Sequence, residues 1–256
     1  MPDSPPILIS LSSFGAAEVR RHGQRWFAQL AERAGADGIE VRGELLADAD
    51  AELPALADVA ARLQRVFSSP EGLWTDAGVF DQAALQRGLA AASVLGAPRL
   101  KMSIGGWSPR SHDSWAALRD RLADTPIELV IENDQTASAG TLRALTRFFE
   151  AAQSAGIALG MTFDIGNWHW TGECPLQAAS ALAPRVRYVH CKGVQRQPTR
   201  WVAVPIVESA APWRGVLGAL PRCMPWAIEY PIAGDDLFAV TRHEVEQLRG
   251  IARSLA

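Results

Sequence analysis

Eight short apolar runs alternate with stretches of helical periodicity, and this alternation constrains the fold more than any other feature of the chain. The runs fall at 7–11, 38–42, 65–68, 99–106, 127–132, 159–164, 186–190 and 226–229. Between them, apolar residues recur at helical spacing: Phe27, Leu30 and Ala34; Leu53, Leu56, Val59 and Leu63; Leu85, Leu89, Ala92 and Leu95; Leu142, Leu145, Phe149 and Ala152; Val245, Leu248, Ile251 and Leu255. Strict alternation of this kind implies a parallel sheet covered by helices. Eight units in 256 residues imply an α/β protein of the (β/α)8 TIM barrel class, a single domain over 1–256. An open doubly wound sheet fits less well, because no G-x-G-x-x-G follows the first run. The third strand reads as short, with SPEGLW as a loop, and 194–211 reads as a long irregular stretch.

In parallel barrels the chemistry sits at the C-terminal ends of the strands. Four runs carry a ligand-type residue there: IELVIEND ends at Glu132, MTFD at Asp164, RVRYVH at His190 and PWAIE at Glu229. A bare carboxylate at the end of a buried strand costs free energy unless something offsets its desolvation. The period of two puts Val130 with Glu132, Thr162 with Asp164, Tyr188 with His190 and Ala227 with Glu229 on one face. Four such residues on four strands predict a single metal site. The set is hard and oxygen-rich, with one imidazole, which suits Mn²⁺, Mg²⁺ or Co²⁺ and tolerates Zn²⁺.

Of 25 basic residues, only Lys101 and Lys192 are lysine, and both fall at strand ends. A genome biased toward arginine codons accounts for this, and so does a site that needs two primary ammonium groups. Lys101 and Ser103 point inward and can meet substrate hydroxyls, whereas Glu40 and Arg42 read as a pair with each other. Trp74, Trp107, Trp168, Trp170 and Trp201 follow strands on the same end. Loop packing explains any one of them; as a group they can wall a pocket against the C–H face of a polyol. The SIGGW glycines can offer backbone N–H groups to an anion.

The order Glu, Asp, His, Glu on strands five to eight resembles the xylose isomerase-like barrel superfamily. IEND at 131–134, FDIGNW at 163–168, VHCK at 189–192 and IEY at 228–230 carry the resemblance. That superfamily includes sugar phosphate isomerases/epimerases, ketose 3-epimerases, hydroxypyruvate isomerases and inosose dehydratases. The resemblance implies one divalent metal ion held by Glu132, Asp164, His190 and Glu229, with Glu132 and Glu229 also the acid/base pair. It places Arg196 against substrate oxygens. Lys101, Asn167, Lys192, Trp107 and Trp168 are further expected substrate-binding residues at the same end of the strands. The reaction implied is isomerisation or epimerisation of a sugar or keto-polyol, by proton transfer through a metal-stabilised enediolate. Two positions depart from the pattern. Many relatives carry His where Asn167 stands, and Asp where Gly193 stands, so substrate identity does not transfer.

Several alternatives remain open at this stage. The same site can serve a keto-polyol dehydratase, a Schiff-base aldolase can use Lys101 or Lys192, and a non-catalytic barrel can bind a sugar. The multi-zinc abasic-site endonucleases of the superfamily need more histidines than the five present, His22, His112, His169, His190 and His243. A net charge of −3 gives no draw to nucleic acid or to an anionic membrane. No apolar run is long enough for a membrane span, and MPDSPPILIS lacks the build of a signal peptide. Cys174, Cys191 and Cys223 are odd in number and lack C-x-x-C spacing, which points to a reduced, cytoplasmic protein. The stretch 194–211 is a lid or a homo-oligomer contact.

Overall fold

The computed structural model describes residues 4–255. Met1–Asp3, the start of the segment read above for a targeting signal, and Ala256 lie outside it, as do the side chains of His112 and Asp113. Eight strands close into a barrel: β1 (Ile7–Ser10), β2 (Gly38–Arg42), β3 (Gln64–Trp74), β4 (Arg99–Gly105), β5 (Glu128–Glu132), β6 (Gly160–Asp164), β7 (Val186–Cys191) and β10 (Trp226–Ile228). Every neighbouring pair around it is parallel. The main helices are α1 (Ala16–His22), α2 (Gln24–Arg33), α3 (Ala49–Val59), α4 (Gln82–Leu95), α5 (Trp115–Ala123), α6 (Leu142–Ser154), α7 (Pro175–Leu182), α8 (Trp213–Ala219) and α9 (Leu237–Ser254). No helix among the described residues is long and apolar enough to cross a membrane.

Four of the helices start where a side-chain oxygen accepts an orphan backbone N–H. Asp48, Asp81, Thr141 and Asp236 cap α3, α4, α6 and α9 in this way. The helical layer buries the outward strand faces, including Ile7, Ile9, Ile39, Val41, Leu100, Ile131 and Phe163. Each such side chain contributes roughly 1.5–3 kcal/mol. Inside the barrel, Leu8, Val66, Tyr188 and Ala227 form a separate small apolar plug. Gly38 allows this packing, since a Cβ there would lie 2.7 Å from Leu8 Cγ and 2.5 Å from the Gln64 carbonyl. The plug fills the barrel interior, and the polar site has only the C-terminal end left to it.

The first helical pattern, Phe27, Leu30 and Ala34, falls on α2 and its C-cap, and a short α1 precedes it across Gly23 at φ +78°. Two expectations need correction. The third strand does not stop at Ser68. It slips register between Ser68 and Gly72, then continues to Trp74 and pairs Gly72 with Ser103 and Trp74 with Gly105. The stretch after β7 is not irregular throughout: β8 (Gly193–Arg196) and β9 (Trp201–Val204) form an antiparallel hairpin.

Candidate metal centre

The barrel register sets the height of each candidate ligand. Glu132 and Asp164 are the last residues of β5 and β6, and Glu229 immediately follows β10. Asp164 is the ladder partner of His190, and His190 is also level with Ala227. Alternation then turns all four side chains to the axis. Their ligand atoms lie within 4.8 Å of one another. His190 Nδ1 is 2.8 Å from Glu132 Oε1, 2.9 Å from Glu229 Oε2 and 3.7 Å from Asp164 Oδ2.

Each carboxylate has its other oxygen held. Asp164 Oδ1 accepts the backbone N–H groups of Gly166 (2.8 Å) and Asn167 (2.9 Å). Glu132 Oε2 accepts from Lys101 Nζ at 2.7 Å, and Glu229 Oε1 from Arg42 Nη1 at 2.8 Å. The second oxygens face His190 Nδ1, and two of them, Asp164 Oδ2 and Glu229 Oε2, also face Lys192. His190 Nδ1 and Glu229 Oε2 are buried and have no hydrogen bond of acceptable geometry, although neighbouring atoms lie within 3 Å. Atoms this close yet misaligned for each other are aimed at a shared point. An octahedral ion with bonds near 2.1 Å holds adjacent ligands about 3 Å apart, so the donor set and its spacing fit a divalent cation.

Cations already surround the carboxylates. Lys192 Nζ lies 2.8 Å from Asp164 Oδ2, 2.7 Å from Glu229 Oε2 and 3.1 Å from Asn167 Oδ1. Burial alone would raise Glu132 and Glu229. Lys101 and His190 overcome it at Glu132, as His190 and Lys192 do at Glu229, so both sit below the usual carboxylate range. Burial alone would lower both lysines. Glu132 and Glu40 beside Lys101, and Asp164 and Glu229 beside Lys192, hold them above the usual lysine value. Both are therefore ammonium groups, the wrong state for a Schiff-base nucleophile.

The other sequence-predicted residues divide. Lys101 and Lys192 join the cluster. Asn167, standing where many relatives carry His, ties the loops together: its Nδ2 donates to the Asn133 carbonyl at 2.8 Å, and its Oδ1 accepts from Gln135 at 3.1 Å. Arg196 is exposed on β8, with its guanidinium 5.4 Å over the Trp201 ring. Trp107 packs against Phe148 and Trp115, and Trp168 is fully buried against Phe163. These two, with Trp74, are core side chains. Trp170 and Trp201 are half-buried, and the Trp201 ring lies 4.9 Å from that of His169, tilted by 49°. The SIGGW amides are spent inside the fold, Gly105 N–H on Ser103 Oγ and Gly106 N–H on the Trp74 carbonyl.

Sequence reasoning missed Glu40. The expected pair with Arg42 exists at 3.1 Å, but Glu40 Oε2 also lies 2.7 Å from His190 Nε2. A cavity of about 230 Å³ opens onto the cluster, lined by Ser12, Ser13, Lys192, Ala203, Glu229 and Tyr230, with Ala203 supplied by the hairpin. A larger cavity of about 600 Å³ lies between α4 and the loop before β5 and includes no residue of the cluster.

A family model described as xylose isomerase-like TIM barrel matches residues 28–250. No curated protein matches the chain. Solved structures do. An L-ribulose 3-epimerase is 17% identical, with 98% of this chain and 95% of that one covered at a TM-score of 0.71. A D-allulose 3-epimerase from Methylomonas sp. is 17% identical over 97% and 98% of the two chains, at 0.65. A probable 3-DHS dehydratase involved in petrobactin synthesis from Bacillus anthracis is 14% identical over 95% and 98%, at 0.69. At these identities the structures speak to the fold. The family match spans most of the chain, and the protein belongs to the xylose isomerase-like TIM barrel family.

Proposed function

We propose that this protein is a divalent-metal-dependent isomerase or epimerase that moves a proton next to the carbonyl of a small sugar or keto-polyol. The observation that carries the reading is the convergence of Glu132, Asp164, His190 and Glu229, each carboxylate with one oxygen tied back and one facing a common point. A bound Mn²⁺, Mg²⁺ or Co²⁺ would act as a Lewis acid on the carbonyl oxygen, worth several kcal/mol.

The side chains do the rest. Glu132 and Glu229, on different strands of the barrel, form the acid/base pair. Both are held ionised, so either can accept a proton from carbon. Returning a proton needs a source, and Lys101, 2.7 Å from Glu132, is one. Return to the same carbon from the opposite face inverts it; return to its neighbour moves the carbonyl. Substrate enters through the cavity beside Ser12 and Ser13, where Lys192 and Glu229 line the wall. Lys192 also supports a second reading, a dehydratase, because an ammonium at the cavity wall can protonate a departing hydroxyl.

Two measurements test this. Elemental mass spectrometry of the purified protein should find about one divalent ion per chain, lost in Glu132→Ala. D-Allulose, L-ribulose and 3-DHS, named for the structural neighbours, make the first substrate panel in deuterated water. Deuterium at the carbon next to the carbonyl with no loss of water supports the isomerase or epimerase; loss of water moves the assignment to the dehydratase. An ion-free protein after addition of Mn²⁺ or Mg²⁺ removes both and leaves a barrel that binds without turnover.

A further inference from the structure

Glu40 is a carboxylate with no solvent exposure that the proposed chemistry does not use. Its Oε1 faces three donors: Ser10 Oγ at 3.1 Å, Arg42 Nη1 at 3.1 Å and Lys101 Nζ at 3.4 Å. Its Oε2 lies 2.7 Å from His190 Nε2. An acid enclosed on all sides by its own chain does not meet a substrate. Its donors keep it ionised, and an ionised acceptor makes a short, strong hydrogen bond.

We propose that Glu40 is the positioning residue of the metal centre: by accepting the Nε2 hydrogen of His190, it fixes the ring so that Nδ1 faces Glu132, Asp164 and Glu229. The inference rests on the metal-dependent reading above. An imidazole can bind a metal through either nitrogen, and the hydrogen bond made by the other nitrogen decides which. Here Nε2 is committed to Glu40, and Nδ1 is the nitrogen among the carboxylates. The effect extends past His190. Arg42 and Lys101, both beside Glu40 Oε1, are the cations that hold Glu229 Oε1 and Glu132 Oε2. One buried acid therefore steadies three of the four ligand side chains, His190 directly and the two glutamates through their cations.

The test is Mn²⁺ affinity by calorimetry for the wild type, Glu40→Leu, Glu40→Asp and Glu44→Gln. Glu40→Asp keeps the charge but shortens the reach to Nε2, so it answers the question even where the leucine variant fails to fold. Glu44→Gln is the control: Glu44 also binds Arg42, at 2.9 Å, but is not hydrogen-bonded to His190. Losing such a carboxylate behind a metal-bound histidine typically costs about 10–100-fold in affinity, and that range is expected for Glu40→Leu, with a smaller loss for Glu40→Asp. A second readout separates positioning from general destabilisation. In the Zn²⁺-loaded wild type, ¹⁵N NMR should show His190 with Nε2 protonated and Nδ1 bound, a signature blurred in the Glu40 variants and kept in Glu44→Gln. Folded Glu40 variants with wild-type Mn²⁺ affinity and an unchanged His190 signature overturn the inference while leaving the metal site standing. A wild type that binds no Mn²⁺ overturns the ligand set, and this inference with it.

Discussion

Lys192 holds ground that a divalent ion would contest. Its ammonium lies 2.8 Å from Asp164 Oδ2 and 2.7 Å from Glu229 Oε2, both ligand atoms of the candidate site. Lys192→Met should therefore tighten Mn²⁺ binding several-fold while lowering turnover, because the same ammonium lines the cavity proposed for the substrate. Calorimetry and steady-state kinetics on one preparation check both signs, and weaker Mn²⁺ binding would contradict the competition. At this scale the cluster of four candidate residues was legible because strand ends are where a buried carboxylate or imidazole stands out against an apolar run. Glu40 was not. Its neighbour Arg42, two residues away on the same face, supplied a sufficient partner on paper, whereas its contact with His190 crosses the barrel between residues 150 positions apart. The tryptophans misled for a related reason. Position after a strand locates a residue at the active end, but Trp107 and Trp168 turn outward into the helical layer.

Elements with a single clear period were legible, and composite ones were not. Pro70 and Gly72 make SPEGLW read as a loop, yet β3 absorbs them in a register slip and resumes. The short α1 before Gly23 carries no apolar period, with Val19 its one buried side chain. The β8–β9 hairpin was hidden by QPTR at its turn, although WVAV carries strand-forming residues. This hairpin reaches the site through Ala203, and its Trp201 packs at a tilt against His169 in the loop after β6. His169 is half-buried, its Nε2 has no hydrogen bond, and burial depresses its pKa below the usual value. A histidine depressed in the folded state favours folding above its unfolded pKa of about 6.5; that contribution is lost as pH falls through the folded value. Hydrogen exchange across 193–204 should therefore be faster at pH 5 than at pH 7.5, after correction for intrinsic rates. His169→Phe keeps a ring against Trp201 without the titration and should flatten the difference. An equal pH response in the variant would show that another group loosens the hairpin.

Across the whole molecule, the barrel stacks a charged layer on an apolar plug. Above Leu8, Val66, Tyr188 and Ala227 lie the carboxylates of Glu40, Glu132, Asp164 and Glu229, faced by Lys101, Lys192, Arg42 and His190. Glu40 and Glu229 hold the His190 imidazole well above its usual pKa against the opposing effect of burial. Burial raises Asp164 against the pull of Lys192, and the remaining carboxylates are faced by cations, so the closed barrel can form before an ion binds. That balance separates this site from structural metal sites, in which folding waits for the metal. The metal-free protein should melt cooperatively in EDTA. An ion that binds only the native state then adds RT ln(1 + [L]/Kd), about 2.7 kcal/mol at a hundredfold excess over Kd. For a chain of this size, each kcal/mol moves the midpoint by roughly 2–4 °C. Mn²⁺ at that excess should thus raise the melting midpoint by about 5–10 °C, a shift that Glu132→Ala abolishes. The same variant should melt lower than the wild type even in EDTA, because Lys101 loses its nearest carboxylate inside a buried layer. Calorimetric scans of both proteins, with and without Mn²⁺, check the two effects separately. A wild type that fails to fold in EDTA would contradict the charge balance, and a midpoint indifferent to Mn²⁺ would contradict the metal site.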